Sequence, residues 1–159
     1  MSNIFNAAEV LDMGIEKEQK RRDFYGYAAE KFEEKDMKEL FSKLRDWEDA
    51  HIKKFTEIRK TLEESETTES FKGEFAAYIK VTVDDILYKQ VSAVWFSKNV
   101  HDPLTAIHYG IGFEKDAILF FNELLRFMTP YHKEKVEELI NEEKKHLLYL
   151  TELKQKYER

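Results

Sequence analysis

Six side chains able to bind a metal ion recur in this chain at matched spacing. Glu48-Asp49-Ala50-His51 is an E-x-x-H sequence inside a run of helical periodicity, and Glu143-Lys144-Lys145-His146 repeats it. A single glutamate precedes each within an apolar helical stripe, Glu18 by 30 residues and Glu114 by 29. Residues three apart share a helix face, so each E-x-x-H glutamate and its histidine can approach one metal together. Two copies of Glu…Glu-x-x-His are what a bundle needs to hold two metal ions in its core. Four carboxylates converging in an apolar core repel one another and lose hydration, at several kcal/mol each. Two divalent cations neutralise that charge, with the histidines bound as neutral imidazoles. The competing reading, a metal-free bundle with solvated glutamates and satisfied core histidines, conflicts with the apolar stripe around each position.

These residues need four long helices to position them. The first begins at Asn6, with Glu9 three residues on to complete a capping box, and carries Leu11, Ile15, Glu18, Tyr25, Ala28 (or Ala29) and Phe32 at helical spacing. Glu16 lies about 200° around from Glu18 and faces solvent. A charged break at Glu33-Glu34-Lys35-Asp36 marks a turn, with Asp36 as a cap. The second helix runs from about Met37 to Glu64, with Leu40, Leu44, Trp47, Glu48, His51, Phe55, Ile58 and Leu62 on its stripe. Ser65 to Ser70 reads as a polar loop. From Phe71 to His101 the pattern weakens to two short helical segments, one around Phe75, Tyr78 and Ile79 and one from Asp84 to Phe96. Tyr88, Val91, Val94, Trp95 and Phe96 either cover the bundle or form a subunit interface.

Asp102-Pro103 is a strong helix start, a capping residue followed by proline at the first helical position, and Thr129-Pro130 repeats it. The third long helix places Leu104, Ile107, Ile111, Glu114, Ile118, Phe121 and Leu125 on one face. The fourth places Val136, Leu139, Glu143, His146, Leu150, Leu153 and Tyr157.

The halves align as an internal repeat. At an offset of 96, Gly14-Ile15, Glu18 and Phe24-Tyr25 match Gly110-Ile111, Glu114 and Phe120-Phe121. At an offset of 95, Leu44, Glu48, His51 and Phe55 match Leu139, Glu143, His146 and Leu150. The repeat selects Glu18 over Glu16. Both members of each glutamate pair lie roughly 20 Å from their connecting turn at 1.5 Å per residue.

Composition bounds the chemistry. With 159 residues, 42% hydrophobic and 36% charged, the chain reads as one helix-rich domain, residues 1–159. Five glycines and two prolines supply little turn material for an all-β fold. A net charge of -6 argues against a nucleic-acid surface. No run is apolar and long enough for a membrane span and no secretory layout is present, so the expected location is cytoplasmic. Zero cysteines exclude thiol catalysis, iron–sulfur clusters and Cys-ligated zinc, leaving carboxylate and imidazole ligands that suit iron, manganese or zinc.

Glu18…Phe24-Tyr25, Glu48-x-x-His51, Glu114-Lys115-Asp116…Phe120-Phe121 and Glu143-x-x-His146 together resemble the rubrerythrin-like branch of the ferritin-like di-iron carboxylate proteins. The resemblance implies an all-α, ferritin-like four-helix bundle with a long central connection, and a bridged centre of two iron ions acting on peroxide or dioxygen. It makes Glu18 and Glu114 terminal ligands or bridges, Glu48 and Glu143 bridging carboxylates, and His51 and His146 one imidazole per iron. The chain departs from that pattern in three places. It has no cysteine for a rubredoxin-type domain, so electrons must come from an external donor protein. Ala117 stands where the family carries a further glutamate. Arg21 stands where a small residue is usual, able to pair with a ligand carboxylate or occupy part of the site.

The expected function is a di-iron oxidoreductase, with the donor protein and a second copy in a homodimer as expected partners. The alternatives are an iron-binding or ferroxidase protein, and a non-enzymatic helical module using the Tyr88–Phe96 segment. His101, His108 and His132 read as capping, surface or interface residues. Tyr25 reads as core, within reach of a ligand carboxylate. The Lys17-Glu18-Gln19-Lys20 run reads as a solvated face, Glu18 excepted.

Overall fold

A computed structural model of the chain describes residues 5–64, 70–71, 81 and 90–159. Among these, α1 spans Ala7–Lys31, α2 Lys35–Glu64, α3 Ala93–Asn99, α4 Pro103–Leu124 and α5 Pro130–Tyr157. A single 3-10 turn, Leu125–Phe127, separates α4 from α5. The architecture is the all-α bundle expected. Short connections fold α1 against α2 and α4 against α5 as antiparallel pairs, and α1 packs on α4 while α2 packs on α5. A two-residue antiparallel pairing, β1 (Phe5–Asn6) with β2 (Ser70–Phe71), joins the start of α1 to the central connection. Asn6 therefore enters the helix from a paired, extended backbone. The expected segment around Phe75, Tyr78 and Ile79, most of the Ser65–Ser70 loop, and the stretch from Asp84 to Lys89 lie outside the described residues.

Two apolar clusters stack along the bundle. One gathers Phe24, Tyr25, Met37, Phe41, Leu44, Ile107, Phe113 and Leu150. The other gathers Val10, Leu11, Phe55, Ile58, Phe120, Phe121, Val136 and Leu139. On α1, α2, α4 and α5 alike, the metal-binding candidates fall between the stretches that feed these clusters. The bundle is thus apolar at both ends and polar in one internal layer.

Of the two cap-plus-proline starts, one is closed by its side chain as anticipated. Asp102 accepts from the Thr105 amide at 2.9 Å and from its hydroxyl at 2.7 Å, satisfying an orphan donor of α4. Thr129 occupies the N-cap of α5 without a side-chain bond to the helix backbone. Its hydroxyl instead pairs with Nδ1 of the buried His132 at 3.1 Å. Asp36 lies inside α2, where it accepts from the Met37 amide and ties down the far end of α5 through Lys156 (2.5 Å) and Tyr157 (2.6 Å).

The buried face of α4 corrects the expected stripe. Ala106, Ile107, Gly110, Phe113, Glu114, Ala117, Phe120, Phe121 and Leu124 turn inward, while Leu104, Ile111, Ile118 and Leu125 sit at the margin. Small residues at 106, 110 and 117 let neighbouring helices come close, so the inward face is chosen by size as well as by hydrophobicity. The Lys17 reading is corrected too: Lys17 is 4% exposed, its ammonium 3.0 Å from Asp116 on α4. Its stem can lie along apolar surface while the charge is paired.

Gly14 and Gly110 are needed for close approach. A Cβ on Gly14 would sit 3.0 Å from the Phe120 ring and 3.1 Å from Phe121; one on Gly110 would sit 3.2 Å from Leu150 and 3.4 Å from the Tyr25 ring. Each glycine receives the aromatic side chain of the opposite half.

The described part of the central connection covers the bundle. Phe96 of α3 is buried against Phe24 at 5.2 Å and Tyr27 at 5.7 Å between ring centroids, and Trp95 meets Tyr109 edge-on. Val91 and Val100 are buried beside it. Ser92 caps α3 by accepting from the Trp95 amide.

Candidate metal centre

Helical register alone brings the polar layer together. Glu18, Arg21 and Tyr25 lie on one face of α1 at spacings of three and four. Glu48 and His51 do the same on α2, Glu143 and His146 on α5, and Glu114 projects from α4. All six expected ligands are buried: the four glutamates are 0% exposed, His51 1% and His146 4%. Arg21, also 0% exposed, is buried with them.

The donor atoms form two overlapping quartets. Glu18, Glu48, His51 and Glu143 make one, and Glu48, Glu114, Glu143 and His146 the other, with one donor atom from each residue within 4.8 Å of the rest. Glu48 and Glu143 belong to both, and each turns one oxygen to each side. His51 Nδ1 lies 2.7 Å from Glu143 Oε1 and 3.5 Å from Glu48 Oε2. His146 Nδ1 lies 3.1 Å from each opposite oxygen, Glu48 Oε1 and Glu143 Oε2, and 3.7 Å from Glu114 Oε1. That is the placement a pair of bridging carboxylates requires.

Residues outside the quartets fix the ligands. The Tyr25 hydroxyl donates to Glu114 Oε1 at 2.7 Å. His51 Nε2 donates to Glu142 Oε2 at 2.5 Å, with the Glu142 side chain 40% exposed. A carboxylate on the outer nitrogen orients an imidazole and raises its basicity toward a metal. Trp47 stacks on the His146 ring at 4.9 Å and 9°. Arg21 Nη2 enters the layer itself, 3.0 Å from Glu48 Oε2, 3.2 Å from Glu143 Oε1 and in contact with Glu18 Oε1.

Positive charge in the layer comes from Arg21 and from protons. Burial pushes the Glu18 carboxyl well above the usual range against the pull of Arg21, with Glu48 and Glu143 adding to the rise. Burial likewise raises Glu114, reinforced by Glu143 and Glu48. At Glu48 burial acts upward but is outweighed by Arg21, by the adjacent Glu18 carboxyl and by both histidines, which hold it well below normal. At Glu143 burial and Glu48 also act upward, yet Arg21, the adjacent Glu114 carboxyl and the bond from His146 bring it to about 2. Burial would lower both histidines, but bonds to Glu143 and Glu48 raise His51 to about 10, and bonds to Glu114, Glu143 and Glu48 raise His146 to about 12. A metal ion entering this layer takes over the role of those protons.

The residues fit a metal pair by donor type, count and spacing. Glu18 Oε2 and Glu114 Oε2 are buried with no hydrogen-bond partner, an arrangement a folded protein avoids unless something else is bound there. Arg21 already places a cation among these carboxylates, at Glu18 Oε1, Glu48 Oε2 and Glu143 Oε1.

Helical spacing put the six candidates on faces that meet in one buried layer, with Arg21 and Tyr25 beside their carboxylates. That spacing did not point to Glu142 or to the stacking of Trp47. The repeat held the signal: Trp47 and Glu142 occupy corresponding positions, each directly before an E-x-x-H glutamate, and each touches the histidine of the other half. His101 binds the Lys98 carbonyl and His108 is exposed, both apart from the layer.

The family model for rubrerythrin matches residues 9–154, a span that includes all six candidates. No curated protein and no solved structure gives a significant match.

Proposed function

The chain belongs to the rubrerythrin family, and from that premise we propose that it is a di-iron carboxylate oxidoreductase reducing hydrogen peroxide or dioxygen with electrons from an external donor protein. The observation that carries the reading is the pair of quartets sharing Glu48 and Glu143. Glu18, Glu48 and His51 with Glu143 would hold one iron, and Glu114, Glu143 and His146 with Glu48 the other. Two bound irons supply two electrons and Lewis acidity for cleaving an O–O bond. For peroxide the balance is two electrons and two protons per molecule, giving two waters.

The chain's own residues would then manage protons and geometry. Glu142, half in solvent and bonded to His51 Nε2, gives protons a route to the buried layer. The Tyr25 hydroxyl holds Glu114 Oε1 in one orientation. The two apolar clusters exclude bulk water from either side, so charge interactions within the layer are strong. These 159 residues hold no cysteine to ligate a second iron centre, and the proposed source of electrons is a separate donor protein.

Ala117 favours a second reading. It is 1% exposed in the inner face of α4, three residues after Glu114, and offers a methyl group where the family pattern has a further carboxylate. A six-ligand centre suits an iron-binding protein or ferroxidase, whose output is oxidised iron. The two readings separate in one experiment. Anaerobic protein loaded with ferrous ion is mixed with peroxide in a stopped-flow spectrometer, then supplied with a reductant. Rapid oxidation of two irons per peroxide, followed by repeated turnover, supports the oxidoreductase. Oxidation followed by iron transfer or retention without turnover supports the ferroxidase. Failure to bind or oxidise iron contradicts both.

A further inference from the structure

The two halves of the centre differ in the residue that follows their outer glutamate by three. In the first half it is Arg21; in the second it is Ala117, its equivalent in the repeat. We propose that the Arg21 guanidinium is a resident cation in the Glu18 half, so that metal ions fill the centre in a fixed order. The first enters the quartet of Glu48, Glu114, Glu143 and His146. The second enters beside Glu18 and His51 only when Arg21 gives way. This inference rests on the two-metal reading above.

Atom by atom, the guanidinium stands on one side of the bridge. Its Nη2 contacts Glu18 Oε1, Glu48 Oε2 and Glu143 Oε1. Glu48 Oε2 and Glu143 Oε1 are the same two oxygens that face His51 Nδ1. A metal bound by the first quartet would need the oxygens that Arg21 now holds. The oxygens facing His146, Glu48 Oε1 and Glu143 Oε2, lie on the other side of each carboxylate. There Ala117 adds no charge, and the first metal has an imidazole proton to displace but no guanidinium.

Arg21 is also held in a way that permits exchange. Its Nε and Nη1 are buried with no hydrogen-bond partner, so its polar contacts are with the carboxylates alone. A divalent ion brings twice its charge to those oxygens. Removing a guanidinium from a fully buried ion cluster is costly, which separates the affinities of the two halves. The same cation compensates carboxylate charge in the metal-free fold, where otherwise only protons would do so.

The test is an anaerobic titration with cobalt(II), followed by absorption and calorimetry, on the full chain and three variants. Circular dichroism checks the fold of each. The wild type is expected to bind two ions in separate steps, the second weaker by roughly a hundredfold, the scale set by opening a buried ion pair. Arg21→Ala should strengthen the second step by about that factor and leave the first almost unchanged. One equivalent in the wild type and two in Arg21→Ala would be the extreme form of the same result. His146→Ala should abolish the tight step and His51→Ala should retain it, a comparison that holds even where Arg21→Ala fails to fold. Two equal steps in the wild type, an unchanged second step in a folded Arg21→Ala, or loss of the tight step in His51→Ala would overturn the order of filling while leaving the two-metal reading intact. No binding by the wild type or by folded Arg21→Ala would overturn the two-metal reading and this inference with it.

Discussion

Around Glu18 and His51, the centre is surrounded by charge: Arg21 inside the layer, Glu142 on the outer nitrogen of His51, and solvent at the far end of Glu142. Around Glu114 and His146, the corresponding positions hold Ala117 and Trp47, which stacks on the imidazole, and the Tyr25 hydroxyl bonds the carboxylate. The repeat places the ligand candidates symmetrically, but their neighbours are not symmetric. One half is charged and reaches water; the other is closed by aromatic rings. A shared pair of carboxylates joins them, so whatever changes the charge of one half is felt in the other. Equal ligands therefore do not make equal sites.

The largest expected effect removes what the halves share. Glu48→Ala takes a ligand from both quartets and leaves Arg21 with one partner fewer in a buried layer. Metal content should fall from two ions per chain to near zero, read by elemental analysis of protein reconstituted without oxygen. The metal-free protein should also be destabilised, by about 3–5 kcal/mol for a broken buried pair, visible as a lower denaturation midpoint. Retention of one ion would mean that the halves are more independent than the bridging geometry allows.

Acidity provides the next test. His51 and His146 are raised to about 10 and about 12 in the metal-free layer, so both carry a proton at neutral pH. A metal needs the neutral imidazole, and binding must release these protons. Affinity should therefore rise with pH through the neutral range, by about tenfold per unit for each proton released, and weaken as pH falls. Calorimetry in two buffers of different ionisation enthalpy counts the protons. A pH-independent affinity would show that the histidines are already neutral in the metal-free protein.

Smaller and more selective effects come from the residues that touch the ligands from outside. Tyr25→Phe frees Glu114 Oε1 and should weaken binding in the Glu114 half, whereas Glu142→Gln removes the charge behind His51 and should weaken the Glu18 half. Each should cost roughly tenfold to a hundredfold in affinity. Stepwise cobalt titration assigns each loss to a half. A loss spread equally over both steps would erase the distinction between them.

The amount legible in sequence follows the same division. Four long helices, the repeat and the six candidates could be read because helical period and paired spacing are local properties. The Asp102 cap could be read for the same reason. What depended on cross-helix packing was harder to read. The inner face of α4 turned toward Ala106, Gly110 and Ala117, since close approach rewards small residues that a hydrophobic stripe ignores. Lys17 looked solvated until Asp116 of α4 was set beside it. Thr129 looked like a side-chain cap, but the buried His132 takes its hydroxyl. The roles of Glu142 and Trp47 required knowing which histidine each would meet.

On the proposed reading Glu48 and Glu143 would each serve both metal ions of this polar layer. The most direct measurement is anomalous diffraction from crystals grown or soaked anaerobically with ferrous or manganous ion. Two anomalous peaks are expected beside the Glu48 and Glu143 carboxylates, one near His146 and the other near His51, with the His146 peak filling first at limiting metal. A layer in which fully reduced, metal-saturated crystals show Arg21 in place and no peak between these carboxylates would contradict that reading.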